Sequence, residues 1–100
     1  MIRVEFALAV SEDFARIAQH LLEHEAGLAQ ERMQEIESGL RVLQHHPEIG
    51  RRLDSRHRQL VLGCGSRGSR GFVAKYRYLP ERELVLITAL RAQKESGCQR

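Results

Sequence analysis

The stretch from Arg70 to Arg91 constrains the fold of this chain more than any other part. Over residues 72–79, apolar and aromatic side chains alternate with others, which is the period of two of a pleated strand. Pro80 and its neighbours predict a turn, since proline fixes its own φ angle and donates no backbone hydrogen bond. The next strand is apolar on both faces: Leu84, Leu86 and Leu90 on one, Val85, Ile87 and Ala89 on the other. The sequence therefore predicts a β-hairpin inside a sheet that is covered on both sides.

Size and composition indicate one globular domain over residues 1–100. The apolar share of 42% and charged share of 29% are typical of such a chain. No apolar run is long enough to cross a bilayer, and the first ten residues lack a signal-peptide cleavage site. Two cysteines, Cys64 and Cys98, are too few for a disulfide framework or a zinc site. We therefore expect free thiols, no membrane segment, no bound metal and no cofactor.

The N-terminal half predicts a strand followed by two helices. Residues 2–8 alternate between apolar and other side chains, which indicates a strand. Ser11 fits as the N-cap of a first helix, because its hydroxyl can accept a hydrogen bond from the free amides of the first turn. This helix is expected to run to His24. Gly27 breaks the pattern, and a second helix is predicted from about residue 28 to residue 46.

The second helix has an apolar stripe typical of a helix packed against another. The stripe steps by four, three, four and three residues through Ala29, Met33, Ile36, Leu40 and Leu43. Pro47 ends this helix, and a polar loop leads to a short strand over residues 59–62 and to a glycine-rich segment over residues 63–71. The order strand, helix, helix, strand, strand, strand predicts an α+β fold: a small, mainly antiparallel four-stranded sheet with a helical hairpin on one face.

Three local motifs suggest a ligand, and each has a plainer explanation. Residues 63–68 match the dinucleotide-binding fingerprint, but that motif must open a helix, and here a strand follows. His20 and His24 have the spacing of metal ligands on a helix, but no third ligand accompanies them, so solvent-facing histidines are the favoured interpretation. Cys64 has arginine neighbours but no recognisable base. We therefore predict no catalytic residue and no metal ligand.

Charge is unevenly distributed along the chain. Residues 11–48 hold eight acidic and three basic side chains, whereas residues 51–77 hold eight basic side chains and one acidic. Such an asymmetry predicts an anionic partner for the second half, either nucleic acid or an acidic protein segment. With few aromatic residues, the chain has no evident platform on which single-stranded bases would stack.

Short segments along nearly the whole chain resemble a known family through their order. They are Pro47-x-x-Gly50-Arg51, Arg58-Gln59-Leu60-Val61, GFVAKY at residues 71–76 and VLITALR at residues 85–91. Together they resemble the RelE/ParE superfamily of toxins from type II toxin–antitoxin modules. ALRAQKESG, at residues 89–97, is similar to the ending of the plasmid-stabilisation branch. The resemblance implies a cytoplasmic toxin neutralised by a small antitoxin whose extended C-terminal segment wraps around it.

Individual residues favour one branch of that family. RelE-like toxins cut messenger RNA on the ribosome and use a strand arginine, further basic residues and a C-terminal tyrosine. Here Val73 stands at the place of that arginine, no tyrosine follows Tyr78, and Cys98 stands near the tyrosine's place. RelE-like toxins have a second catalytic arginine near the position of Arg91. If the alignment is shifted by one residue, Ala92 stands at that position instead. These departures favour the ParE branch, whose members are implicated in blocking DNA gyrase.

The resemblance also implies where partners bind. The target would contact the C-terminal segment through Arg91, Lys94 and Arg100. An antitoxin segment, expected to be acidic, would contact Arg51, Arg52, Arg58, Arg70, Lys75 and Arg77. The alternative function is a RelE-like ribosome-dependent mRNA endonuclease using Arg58, Lys75, Arg77 and Arg91. A third hypothesis is a toxin-derived binding module without toxicity. No membrane partner is expected, and direct nucleic-acid binding stays open but is not favoured.

Overall fold

The computed structural model describes residues 2–24, 26–62 and 71–92 and has an α+β architecture. Its strands and helices, in chain order, are β1 (Arg3–Phe6), α1 (Leu8–His24), α2 (Ala29–Val42), β2 (Arg51–Arg52), β3 (Arg58–Leu62), β4 (Phe72–Leu79) and β5 (Leu84–Ala92). Short 3-10 turns cover Ala26–Leu28 and Pro80–Arg82. The strands form a five-stranded sheet of order β1-β5-β4-β3-β2. The predicted α+β class is confirmed.

The prediction of four strands was wrong, because the loop before β3 contributes a fifth. Arg51 and Arg52 pair with Gln59 and Arg58 as a two-residue edge strand. Two arginines in a polar loop show no apolar alternation, so the sequence pattern did not indicate a strand there. The sheet is also mixed: β1 pairs with β5 in parallel, whereas the other three pairings are antiparallel.

The central hairpin forms where the alternation predicted it, with one irregularity. Lys75 lies opposite Ala89 and Tyr76 opposite Ile87, so Thr88 is an extra residue in β5. This bulge is stabilised by the Thr88 hydroxyl, which donates a hydrogen bond of 3.2 Å to the Lys75 carbonyl. The predicted face of Leu90 was therefore wrong. The extra residue puts Leu90 on the buried face with Ile87, not on the face of Leu86.

Both helices pack on one face of the sheet. The predicted stripe of α2 is confirmed, since Ala29, Ile36, Leu40 and Leu43 are buried and Met33 packs against the core. From α1 the core takes Val10, Ile17 and Leu21. From the sheet it takes Leu62, Phe72, Ala74, Tyr76, Val85, Ile87 and Leu90. The helical hairpin therefore covers the centre of the sheet, as predicted.

The helix boundaries differ from those predicted. α1 begins at Leu8, so Ser11 is an exposed residue within the helix and not its N-cap. The earlier start places Val10 in register with Ile17, and Val10 is fully buried. α2 ends at Val42 and not at residue 46, because the chain tightens into turns with hydrogen bonds between residues three apart. Proline disfavours helical conformation in the residue before it, which accounts for the change before Pro47.

Candidate partner-binding surfaces

The face of the sheet opposite the helices combines apolar and cationic side chains, and we call it the open face. Tyr76, Ile87 and Leu90 point into the core beneath the helices, so the residues between them on each strand point the other way. By strand register the apolar members of the open face are Val61, Val73, Leu79, Leu84, Leu86 and Ala89, of which Leu84 is buried. Its charged members are Arg3, Glu5, Arg51, Lys75, Arg77 and Arg91. Both helices in the described part of the chain lie on the other side.

Strand register interleaves these two kinds of side chain. Lys75 lies between Gln59 and Ala89, and Arg91 lies beside Val73. Directly opposed residues in a sheet have Cβ atoms about 5 Å apart, so Lys75, Arg77 and Arg91 each border an apolar side chain, whereas Arg51 borders Gln59. Such a surface suits a partner that places apolar side chains against the valines and carboxylates against the cations.

Arg77 has an unsatisfied donor on the open face. Its side chain is half-buried, and its buried Nε makes no hydrogen bond to any residue in the described part of the chain. Leaving a buried donor unpaired costs about 1–3 kcal/mol. Because this atom has almost no accessible surface, a partner's oxygen could pair with it only if the Arg77 side chain rearranged.

Arg51 and Arg52 lie on the edge strand β2, and both are exposed. β2 is the last strand of the sheet on this side, so its outer edge has no neighbouring strand among the described residues. Exposed edges are places where an extended segment can add a strand. The two arginines would then meet the added segment directly, Arg51 on the open face and Arg52 on the other.

Arg58 lies apart from the other predicted antitoxin-binding residues. It shares the core side of the sheet with Tyr76, opposite which it is paired. Its guanidinium donates hydrogen bonds of 3.0 Å and 2.8 Å to the carbonyls of Glu48 and Gly50. The structure therefore places Arg58 as a support for the loop before β2.

Tyr76 holds the same loop from within the core. Its hydroxyl donates a 2.9 Å hydrogen bond to the Pro47 carbonyl and accepts one of 2.9 Å from the Gly50 amide. Burial raises the pKa of the Tyr76 hydroxyl, although the hydrogen bond from Gly50 acts in the opposite direction. A Cβ at position 50 would lie 2.6 Å from the Tyr76 oxygen and 2.9 Å from the Gln59 carbonyl, so glycine is needed there. These contacts position β2 at the sheet edge.

Asp13, in α1, holds the end of β5 through a side-chain hydrogen bond, as Tyr76 holds the loop before β2. β1 pairs with β5 only as far as Ile87, and one Asp13 carboxylate oxygen accepts a 3.0 Å hydrogen bond from the Leu90 amide beyond that point. Burial by itself raises the pKa of Asp13, but this hydrogen bond and the ion pair with Arg16, at 2.9 Å, outweigh it, so the net pKa is lowered. Asp13 thus ties α1 to β5 directly before Arg91, the predicted target-binding residue.

An Asp–His pair that sequence reasoning missed lies in the loop before β3. One Asp54 oxygen accepts hydrogen bonds of 2.8 Å from the amides of Arg56 and His57, and these lower the Asp54 pKa. The same oxygen lies 3.2 Å from His57 Nδ1. A carboxylate at Nδ1 fixes the ring orientation, so Nε2 is the nitrogen that could act as a base. The spacing of Asp54 and His57, three residues apart in a polar loop, is the sequence signal that could have revealed the pair.

The helix side has a groove of about 570 Å³ between α2 and the edge strand β1. It is lined by Val4, Phe6, Phe14, Gln30, Met33, Gln34, Glu37, Leu40, Arg41 and Gln44. Phe6 and Phe14 form its aromatic wall, with an edge-to-face contact at 5.6 Å, and Phe6 is 47% exposed. An apolar floor with a polar rim is suited to the apolar face of a helix.

His20 and His24 are both exposed on α1, as the sequence interpretation expected. Their rings stack with centroids 4.3 Å apart. Within residues 2–24, 26–62 and 71–92, no group of three or more His, Cys, Asp and Glu side chains could hold a metal ion together. The remaining predicted site residues, Arg70, Lys94 and Arg100, lie outside the described residues, as do both cysteines and the glycine motif at 63–68.

Comparison with known proteins adds no relative. No protein-family model matches the chain, and no curated protein is significantly similar to it. The family resemblance therefore depends on the order of short segments along the sequence and stays a prediction. Neither helix in the described part of the chain has the length and apolarity needed to cross a membrane.

Proposed function

We propose that this protein is the toxin of a type II toxin–antitoxin module, of the ParE kind, which inhibits DNA gyrase by binding it. The observation that most supports a protein-binding role is the open face, where apolar side chains alternate with cations. A surface of this kind is costly to leave exposed unless a partner covers it. The α+β architecture agrees with the fold that the family resemblance implies.

The antitoxin is a small protein with an acidic C-terminal segment. Its carboxylates pair with Arg51, Lys75 and Arg77, and its apolar side chains cover the valines between them. Two binding modes fit the two surfaces: an extended segment along the open face and the β2 edge, or a helix in the groove beside Phe6. A segment long enough to wrap the domain would use both.

The gyrase contact involves the end of β5 and the residues that follow it. Arg91 is exposed near the end of β5 and follows directly after Leu90, whose amide is hydrogen-bonded to Asp13. Lys94 and Arg100 add two further cations in the sequence. Together they would form a cationic end segment that complements an acidic protein surface.

A supercoiling assay with purified gyrase tests this function. The protein is expected to inhibit supercoiling or to trap cleaved DNA, and Arg91→Ala should weaken the effect. Arg82→Ala is the matched control, because Arg82 is an exposed arginine in the turn at the opposite end of β5. Full activity of Arg91→Ala would contradict the assigned contact, and no effect of the unmodified protein on gyrase would contradict the gyrase target.

The mRNA endonuclease is kept as a second candidate because of the Asp54–His57 pair. Cleavage by attack of a ribose 2′-hydroxyl on the adjacent phosphate needs a base to take the hydroxyl proton, a proton from an acid or from water for the departing 5′-oxygen, and cations for the developing charge. His57, oriented by Asp54, would be the base, and Lys75 and Arg77 would supply the cations. Primer-extension mapping after brief induction would then show new cuts within codons, and His57→Gln would abolish them. Cuts that persist in His57→Gln would exclude this residue as the base.

Both toxin hypotheses require growth arrest when the chain is expressed without its antitoxin. If expression at verified protein levels leaves growth unchanged, the third hypothesis, a toxin-derived binding module, is the one that remains. A small neighbouring reading frame with an acidic C-terminal segment would support the module in every case, since all three hypotheses include a bound partner.

A further inference from the structure

His20 and His24 form an ordered pair near the end of α1. Both side chains are exposed, their ring centroids are 4.3 Å apart and their planes are inclined by 23°. Residues four apart on a helix face the same side, so this arrangement follows from the spacing. The stacking shows in addition that the two rings have adopted neighbouring orientations and are not splayed apart.

A hydrogen bond defines which nitrogen of His24 is free. Its Nδ1 lies 3.1 Å from the backbone carbonyl of His20. A carbonyl oxygen only accepts, so Nδ1 carries the proton and donates it, and in the neutral ring Nε2 then keeps its lone pair. Histidines that ligate metals usually donate their other ring nitrogen to a carbonyl or carboxylate in this way. His24 therefore has the tautomer of an Nε2 ligand.

The position on the helix also favours a cation. α1 ends at His24, and the unpaired carbonyls of a helix's last turn give that end a partial negative charge. Glu23 lies between the two histidines in sequence and adds a nearby carboxylate, hydrogen-bonded to Gln19 at 3.1 Å. A divalent ion bound by the two rings would therefore lie in a favourable local field.

We propose that His20 and His24 form a bidentate surface site for a divalent late first-row transition metal, namely Ni²⁺, Cu²⁺ or Zn²⁺. Imidazole nitrogen suits these ions, at metal–nitrogen distances of about 2.0–2.1 Å for zinc. In the stacked arrangement the two ring planes are nearly parallel, so binding requires the rings to open until both Nε2 lone pairs converge on one ion, and water completes its coordination. Mg²⁺ and Ca²⁺ prefer oxygen ligands and do not compete. This site is independent of the proposed toxin function.

Calorimetric titration of the full chain with Ni²⁺ tests the site. Because thiolates also bind metals, the titration is repeated in a Cys64→Ser, Cys98→Ser background. His20→Ala and His24→Ala are each expected to weaken Ni²⁺ binding about tenfold or more, since loss of one imidazole leaves a single ligand. Both positions are exposed, so circular dichroism should show an unchanged fold in each variant.

The chain contains a matched control for this experiment. His45 and His46 are also exposed, but they are adjacent in sequence beyond the end of α2 and lack the four-residue helical spacing of His20 and His24. His45→Ala and His46→Ala should therefore leave Ni²⁺ affinity unchanged. Equal losses from both pairs would indicate nonspecific histidine binding and would overturn the proposal. So would wild-type affinity in His20→Ala or His24→Ala, or displacement of Ni²⁺ by equimolar Mg²⁺.

Discussion

Tyr76 is a core residue whose hydroxyl also fixes a surface loop. Phenylalanine at position 76 would leave the Pro47 carbonyl and the Gly50 amide without their partner. We expect Tyr76→Phe to lower the free energy of unfolding by about 1–3 kcal/mol, measured by urea denaturation. Tyr78→Phe, on the same strand, leaves both contacts intact and is the control. An equal loss in the two variants would show that the loop contacts contribute nothing specific.

Gly50 belongs to the same arrangement and can be tested separately. A methyl group at position 50 would overlap the Tyr76 hydroxyl and crowd the Gln59 carbonyl, so Gly50→Ala should destabilise the protein by about 1–3 kcal/mol. At Gly27 nothing lies within 4 Å of the added carbon, and Gly27→Ala should be neutral or slightly stabilising. The difference between the two melting temperatures measures the steric cost. Similar values would contradict the tight approach at Gly50.

The Asp13 carboxylate should make stability depend on pH. Its pKa is lowered in the folded state, so its ionised form stabilises the fold at pH values above the unfolded pKa of about 3.9. That contribution is lost as pH falls through the lower folded pKa. We expect Asp13→Asn to be less stable than the unmodified chain at pH 7, by about 1–2 kcal/mol, with the two converging in acid. Glu12→Gln, exposed on the same helix, should show no such convergence. A pH-independent difference would mean that the charge of Asp13 is immaterial.

The contact between α2 and β3 depends on a glycine within the helix. A Cβ at Gly39 would overlap the Leu62 side chain, which is buried and surrounded by the core. Alanine in a helix is favoured over glycine by about 1 kcal/mol, but overpacking costs about 1–3 kcal/mol, so Gly39→Ala should be net destabilising. Ser38→Ala, exposed beside it, should not be. A Leu62→Val change in the Gly39→Ala background should recover part of the loss, and a double-mutant cycle without coupling would contradict this contact.

The elements predicted well from the sequence are those in which apolar side chains recur with a regular period, because that period indicates which face is buried. The alternation in β4 and the stripe in α2 each point to one buried face, and both predictions are confirmed. β2 was missed because a two-residue strand has no period. The Thr88 bulge was missed as well, and it moves Leu90 to the other face because it inserts one residue into an apolar run.

The candidate surfaces were predictable only in part, for a related reason. Charge counting found the basic residues of the second half but not their placement. Strand pairing separates Lys75 and Arg77, which lie on the open face, from Arg58, which supports a loop. The contact between Asp13 and the Leu90 amide joins residues 77 positions apart, and no local pattern encodes such a contact. The order of predicted strands and helices indicated the α+β architecture. Strand register and side-chain contacts could not be predicted from the sequence, because they depend on residues far apart along the chain.

The two candidate partner surfaces lie on opposite sides of one small domain. The open face is on the side of the sheet away from the helices, and the groove lies between α2 and the edge strand β1. The molecule measures 41 × 28 × 22 Å. An extended chain spans at most about 3.3–3.6 Å per residue, so fewer than about ten residues cross the 28 Å dimension. If the proposed antitoxin segment occupies both surfaces, fewer than about ten of its residues are needed to pass from one to the other.

Affinity measurements with the antitoxin distinguish which surface dominates. If the open face does, Lys75→Glu combined with Arg77→Glu should weaken binding at least about tenfold, or about 1.4 kcal/mol, and binding by the unmodified chain should weaken with added salt. Arg82→Glu, in the hairpin turn away from both surfaces, carries the same type of charge reversal and is the control.

If the groove dominates, Phe6→Ser should weaken binding while the double charge reversal has little effect, because Phe6 forms the exposed part of the aromatic wall and its burial by a partner is apolar. Salt would then have little influence on affinity, since the hydrophobic contribution does not depend on screening. Losses of similar size from both sets of variants would indicate a segment that wraps the domain. If neither set weakens binding, the partner uses a different surface and both assignments are wrong.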